Sequence, residues 1–389
     1  MQKEPLQQLA QQVIVWREAI HRHPELSHVE HVTTAYICEQ LASFGRLEIS
    51  RPAPTGVVAR LKGALPGRTI AFRADIDALP VHEKLESPYC STQAGRMHAC
   101  GHDVHTAMLL GAAKALSEQW QSIKGEVVFI FQRGEEMSPG GAKELVDLGV
   151  LKGVEMFFAL HVLPALPSGV IALKPGIATA NRDTFHINIH GRGGHSSMPH
   201  LSVDPSVAAA ETVLALQTIV AREIDPHESA VISVCSIISG DGTTAAIPND
   251  AHICGTNRTF TPEVRKQIKQ AMIRIVEGVS NAHRCQAEIK FNEWDYSAIV
   301  NDEKLCDVAR RVVQTDLGQN SFREEKRPMS VGEDFSEYQT IAPVCFAWLG
   351  VGRAEQNNPP LHNSYFNPDE QAFIQGVKYY LGLARELVM

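Results

Sequence analysis

The chain has 389 residues, 44% of them hydrophobic, which is more than one core usually organises, so two domains of a well-buried globular protein are expected. Lysine and arginine number 36 against 44 acidic residues, a net charge of −8 without a basic run, which excludes the electrostatic footprint of a nucleic-acid binder and leaves a small molecule as the expected partner. No apolar segment is long enough to span a bilayer, the opening MQKEPLQQLAQQVIVW lacks a basic and then apolar leader, and eight cysteines without a CxxC read as reduced thiols; a cytoplasmic protein without membrane contact is expected.

In chain order, TIAFRAD (69–75), GEVVFIFQ (125–132) and MFFALHV (156–162) are short, nearly continuous apolar runs, with helical segments such as VHTAMLLGAAKALSEQW (104–120) between them. Such runs fit strands buried on both faces of a largely parallel sheet, so this part is an α/β domain. The pattern then changes. DTFHINIHG alternates Phe185, Ile187 and Ile189 like a half-buried strand, and the following helix starts with Asp204 as N-cap and Pro205 at its first position. SAVISVCSIIS and DAHICGTNRTF read as two strands joined by the turn-rich GDGTTAAIPN, a second helix starts at Thr261 and Pro262, and CQAEIKFNE closes as a strand. The order β-α-β-β-α-β is that of a ferredoxin-like unit. PVCFAWLG (343–350) then resumes the first pattern. Residues 183–293 are therefore read as a domain inserted into a catalytic α/β domain made of 1–182 and 294–389.

Ligands of open α/β sheets bind beyond the carboxyl ends of the strands. Asp75 and Asp77 end TIAFRADID, Glu135 and Glu136 follow VVFIFQ, His161 follows FFAL, and His362 follows VCFAWLG and a proline-rich loop. Cys100 and His102 flank Gly101 where a helix begins near Asp103, so the positive end of that helix points at a thiolate. His105, one turn further on, is read as a packing or supporting residue facing away. Singly, each of these has an ordinary explanation: a hydrogen-bonded histidine, a buried cysteine, a solvated acidic loop. Together they are ionisable groups converging on one buried edge, which repel or desolvate one another unless a cation compensates them. Adjacent residues in extended chain point in opposite directions, so one of Glu135 and Glu136 can ligate a metal while its neighbour meets water as a general base. A cysteine nucleophile with His102 or His105 as base is the rival arrangement; residues two apart in a turn rarely align for it, and the paired glutamates would have no task.

HRHPELS, RADIDALPV, MHACGHDVHTAMLLGAA, GEEMSPGGAKELV, ALHV, GRGGHSSMPH, GTNRTF, GEDFSEY and LHNSYF, in this order, resemble the M20 metallopeptidase family and more closely its amidohydrolase subgroup. The resemblance implies two divalent metal ions (Zn, Mn, Co or Ni) held by Cys100, His102, Glu136, His161 and His362, with Glu135 as the base. It also implies that the inserted domain is a lid and a dimerisation surface, and that His195 and Arg258 meet the substrate; Asn257, next to Arg258, is taken as a further substrate-binding candidate. Where the wider family has His-x-Asp this chain reads Asp75-Ile76-Asp77, so both aspartates are assigned supporting roles, Asp77 orienting a ligand histidine. The implied reaction is hydrolysis of an N-acyl amino acid by a homodimer. A metallo-exopeptidase acting on dipeptides or C-terminal residues is the alternative, and a non-catalytic binding protein with a structural metal is a third reading, which leaves Glu135 without a task.

Overall fold

A computed structural model describes residues 3–293, 295–354 and 357–389; Trp294, where the second segment of the α/β domain was expected to begin, lies outside them. The chain divides into two compact units, Met1–Ala178 with Ile299–Arg327 and Glu333–Met389, and Thr179–Ala298 with Pro328–Gly332. The second unit is wider than the expected 183–293. Its first strand begins at Asn181, and the 328–332 segment returns to it through a hydrogen bond from Ala180 N to Val331 O of 3.0 Å.

The first unit holds an eight-stranded mixed sheet in the order Leu47–Ser50, Val57–Lys62, Lys124–Gln132, Leu65–Asp75, Met156–Pro167, Val344–Gly352, Ile171–Leu173, Phe322–Glu324. The four central strands, Lys124–Gln132 to Val344–Gly352, run parallel; their outer neighbours Val57–Lys62 and Ile171–Leu173 pair with them antiparallel, and the edge strands Leu47–Ser50 and Phe322–Glu324 add an antiparallel and a parallel pair. The α/β class read from the apolar runs is the observed one. Alternation along each strand sorts the side chains by face. Ile70, Phe72 and Ala74, Val127, Phe129 and Phe131, and Phe158, Leu160 and Val162 join one hydrophobic cluster with Val13 and Trp16 of the helix Lys3–His21, Met108 of the helix His102–Glu118, and Val377 and Tyr380 of the helix Phe373–Val388. Phe72 lies 4.9 Å from Tyr380 and 6.1 Å from Phe158, ring centre to ring centre. Each such ring contributes roughly 1.5–3 kcal/mol by leaving water, so this face anchors the strands. The residues between them, Arg73, Asp75, Gln132 and His161, belong to the other face, where Phe157 stacks on Tyr338.

The second unit is a four-stranded antiparallel sheet, in the order Ala230–Ser239, Asp250–Thr259, Asn181–His190, Gln286–Phe291, with two helices, Pro205–Arg222 and Pro262–Ala282. Both helices start as their sequences direct: the Asp204 carboxylate accepts from Ser206 N, and Thr261 Oγ1 accepts from Val264 N. Phe185, Ile187, Ile189, Ala251 and Ile253 share one core with Leu216, Ile219, Ile268 and Met272 of the helices. The other sheet face lies open. The loop Gly-Asp-Gly-Thr-Thr-Ala-Ala-Ile-Pro-Asn holds a short ladder that hydropathy does not reveal, Ala246 pairing with His195 and Ile247 with Gly194.

Candidate metal centre

The first unit brings its sequence-selected residues to one place, and backbone geometry explains how. Gly101 has φ +84, and a Cβ there would stand 2.4 Å from Val162 Cγ2, so only glycine permits the turn between Cys100 and His102. Gly134, with φ +61, delivers Glu135 in the same way, since its Cβ would meet the His28 ring at 2.4 Å. His362 itself takes a positive φ, 64°, with its N–H bonded to Ala99 O at 2.8 Å.

Cys100 Sγ lies 3.6 Å from His161 Nε2 and 3.3 Å from His362 Nε2. Glu136 Oε1 is 3.2 Å from His362 Nε2 and 3.9 Å from His102 Nε2. The donor atoms of Cys100, Glu136 and His362 lie within 4.8 Å of one another, and so do those of His102, Glu135 and Glu136. Two adjoining groups thus share Glu136.

The outward-facing nitrogens are set by their partners. His161 Nδ1–H donates to Val162 O at 2.8 Å, leaving its Nε2 lone pair toward Cys100. His102 Nδ1 meets Asp77 Oδ1 at 3.1 Å, and Asp77 is held in turn by Ser27 Oγ and Glu136 N. This is the aspartate-to-histidine support expected of a metal ligand. His102 Nε2 and Glu136 Oε1 are buried without a hydrogen bond of proper geometry, although other polar atoms stand within 4 Å of both. His105 does not face away. Its Nδ1–H donates to Asp75 at 2.5 Å and its Nε2 accepts from Val162 N at 2.8 Å, so both nitrogens are used and it supports Asp75 and the His161 strand.

Sequence reasoning missed Arg73, Glu333 and Asp334. The buried Arg73 guanidinium reaches Asp75 and Asp334 at 2.7 Å and Glu333 at 3.0 Å, while Gln132 donates to Asp334 at 2.6 Å. GEDFSEY carried two adjacent acids in its sequence, but nothing local ties them to a strand 260 residues earlier.

The electrostatics follow from burial and crowding. Burial, reinforced by Glu333, Glu136 and Asp334, pushes the Glu135 carboxyl well above its usual range, and burial with Asp75 and Asp334 raises Glu333 to about 8. Burial, then Glu136 and Glu135, hold the Cys100 thiol up. Burial alone would lower His102, but Asp75, Asp77 and Glu136 outweigh it and carry it to about 10. His161, buried and beside His105, is held neutral. The pocket therefore attracts cations, and protons occupy its donors when nothing else does. A sulfur, three imidazoles and carboxylates, with two orphaned donor atoms, fit divalent ions of the zinc, cobalt, nickel or manganese kind.

The remaining candidates lie in the second unit. His195 is exposed; its Nδ1 accepts from Ser197 N at 3.2 Å, which places the ring proton on Nε2. Arg258 is half-buried, and burial together with Arg182 lowers its pKa. Asn257 is corrected: strand alternation turns it to the core face opposite Arg258, 1% exposed, where its Nδ2 lies 3.7 Å from Met272 Sδ. A side chain buried there does not reach a ligand.

The chain is similar to known proteins over most of its length. Peptidase family M20/M25/M40 matches residues 71–386. An N-acyl-L-amino acid amidohydrolase of Geobacillus stearothermophilus is 44% identical over 77% of this chain and 82% of its own length. Thermostable carboxypeptidase 1 of Saccharolobus solfataricus is 37% identical over 98% of this chain and 97% of its own. A crystal structure of a Bacillus subtilis protein, described as a dinuclear metal binding peptidase from the M20 family, superposes with a TM-score of 0.83 at 34% identity, covering 98% of this chain and 99% of that one. The chain belongs to peptidase family M20/M25/M40, the hydrolase family that its motifs resemble.

Proposed function

We propose that this protein is a metal-dependent amidohydrolase that cleaves N-acyl amino acids into a carboxylate and a free amino acid. The observation that carries the reading is Glu135, a buried carboxyl beside five converging donors. Cys100, His102, Glu136, His161 and His362 would hold two divalent ions. Bound there, the ions would supply Lewis-acid polarisation of the scissile carbonyl and activation of water. Glu135 then accepts the water proton and delivers it to the leaving amine. Arg258 presents a planar fork to the α-carboxylate of the amino acid. His195 offers its Nε2–H to the developing oxyanion, a contribution worth roughly 10²- to 10³-fold in turnover.

The inserted unit acts as lid and dimerisation surface in this reading, His195 serving a neighbouring subunit. Supporting it, Ala230–Ser239 is an edge strand with exposed Val231, Ile237 and Ile238, and Leu214 of the adjoining helix is 71% exposed. A cytoplasmic location accords with eight cysteines that are all free. Subunit exchange between Glu135→Gln and His195→Ala chains tests the arrangement: activity returns in mixed dimers, whereas no recovery after proven exchange places His195 in its own chain's site.

The carboxypeptidase likeness supports exopeptidase action as the second reading, at lower identity than the amidohydrolase. A panel of N-acyl amino acids and dipeptides, assayed with several divalent metals, separates the two. Faster turnover of dipeptides than of every acyl amino acid overturns the first.

A further inference from the structure

The open face of the inserted sheet carries chemistry that hydrolysis does not use. Strand alternation that sends Phe185, Ile187, Ala251 and Ile253 into the core turns His186, His252 and Cys254 outward, half-buried. Register pairs Cys254 directly with His186 and His252 with Asn188. The two imidazoles lie nearly parallel, 25° apart with centroids 5.7 Å from each other, and the three donor atoms fall within 4.8 Å of one another. Donors of a tetrahedral ion at ~2.0–2.3 Å bond lengths stand roughly 3.5 Å apart. Small side-chain rotations close that difference.

One ligand is already oriented. Lys290 Nζ lies 3.2 Å from Glu288 Oε1, and the same oxygen accepts Asn188 Nδ2 at 3.0 Å. That fixes the Asn188 amide with its oxygen toward His252 Nδ1, 2.7 Å away. His252 Nδ1–H therefore donates, and the Nε2 lone pair remains for a cation. A carbonyl oxygen fixing the far nitrogen of a histidine is the support that metal-bound imidazoles use.

We propose that His186, His252 and Cys254 form a separate site for a borderline-soft divalent ion such as zinc, cobalt, nickel or copper on the inserted unit. Two nitrogens and a sulfur, without a carboxylate, select against magnesium, calcium and manganese. A solvent molecule completes the shell, because the face is open. The site stands whether or not the amidohydrolase reading does, since all its residues lie in the second unit.

The test is equilibrium dialysis of the full chain against zinc and cobalt, with bound metal counted by elemental analysis. Wild type should hold one more ion per chain than His186→Ala and than Cys254→Ser, while manganese loading is the same in all three. The cobalt difference spectrum between wild type and Cys254→Ser should contain a thiolate-to-metal band. Asn188→Ala, which removes only the orienting amide, should weaken this ion about 10- to 100-fold while the two other variants abolish it. All three substitutions sit on an open sheet face, and circular dichroism with unchanged hydrolysis confirms folding. Equal zinc stoichiometry in wild type and both variants, or a cobalt spectrum insensitive to Cys254, overturns the proposal.

Discussion

Two ionic clusters are buried in the first unit, and although burial pushes the carboxyl groups of both upward, their partners leave them shifted in opposite directions. Around Asp103, the carboxylate meets Arg17 Nε and His21 Nδ1, both at 2.7 Å, and His21 Nε2 meets Glu83 at 3.1 Å. Burial alone would raise Asp103, yet Arg17 and His21 hold it well below the usual carboxylate range. Two acids and two bases balance. Around Glu135 the acids outnumber the bases: Asp75, Asp77, Glu135, Glu136, Glu333 and Asp334 face Arg73 and His102, and the Glu135 carboxyl is driven up. A balanced cluster is complete within the protein, whereas an acid-rich one calls for a cation from outside.

The largest expected effect separates the paired glutamates. Glu135→Gln should retain metal and lose ~10²- to 10⁴-fold in turnover, while Glu136→Gln should lose metal itself. Steady-state kinetics beside elemental analysis reads both, and equal metal loss in the two variants removes the division of roles.

Next come the arginines. Arg17→Met and Arg73→Met each break a buried pair and should cost about 3–5 kcal/mol in denaturant unfolding. Chelation should destabilise Arg73→Met more than wild type, because the lost charge and the ions act on one cluster. The Arg17→Met cost should not depend on metal. Identical metal dependence in both variants erases the distinction between the clusters.

Smaller still is a dependence on pH. Glu135 and Glu333 have folded values above their unfolded ones, so their contribution to stability is full below ~4.3 and is lost as pH rises through the folded values, about 8 for Glu333. His102 likewise has a folded value above its unfolded one, so its contribution is full below ~6.5 and is lost as pH rises through about 10. Asp103 runs the other way, stabilising above ~3.9 and ceasing to do so as pH falls through its depressed value. Chelated protein should therefore lose thermal stability as pH rises from neutral, and Glu135→Gln should flatten that slope. A midpoint that rises with pH in chelated protein contradicts the assignment.

Much of this is legible in the sequence. Apolar runs mark the strand ends at Asp75 and just before Glu135, and Asp204-Pro205 and Thr261-Pro262 mark helix starts, because both are local signals, whereas the strand read as ending at His161 runs on to Pro167. Arg73 and Asp334 escaped notice because their pairing joins segments 261 residues apart. The Gly194–His195 ladder is two residues long, too short to have a period. Asn257 was misread although its own strand held the answer: Arg258 and Asn257 are neighbours in sequence and so cannot share a face.

The central claim is that the acid-rich cluster takes two divalent ions and works only when both are present. Zinc or cobalt titrated into chelator-stripped His186→Ala protein, following ions bound and the rate of N-acyl amino acid hydrolysis together, measures it directly. The account predicts a rate that saturates at two ions per chain. Full activity at one ion or fewer, or hydrolysis that survives metal removal, would contradict it.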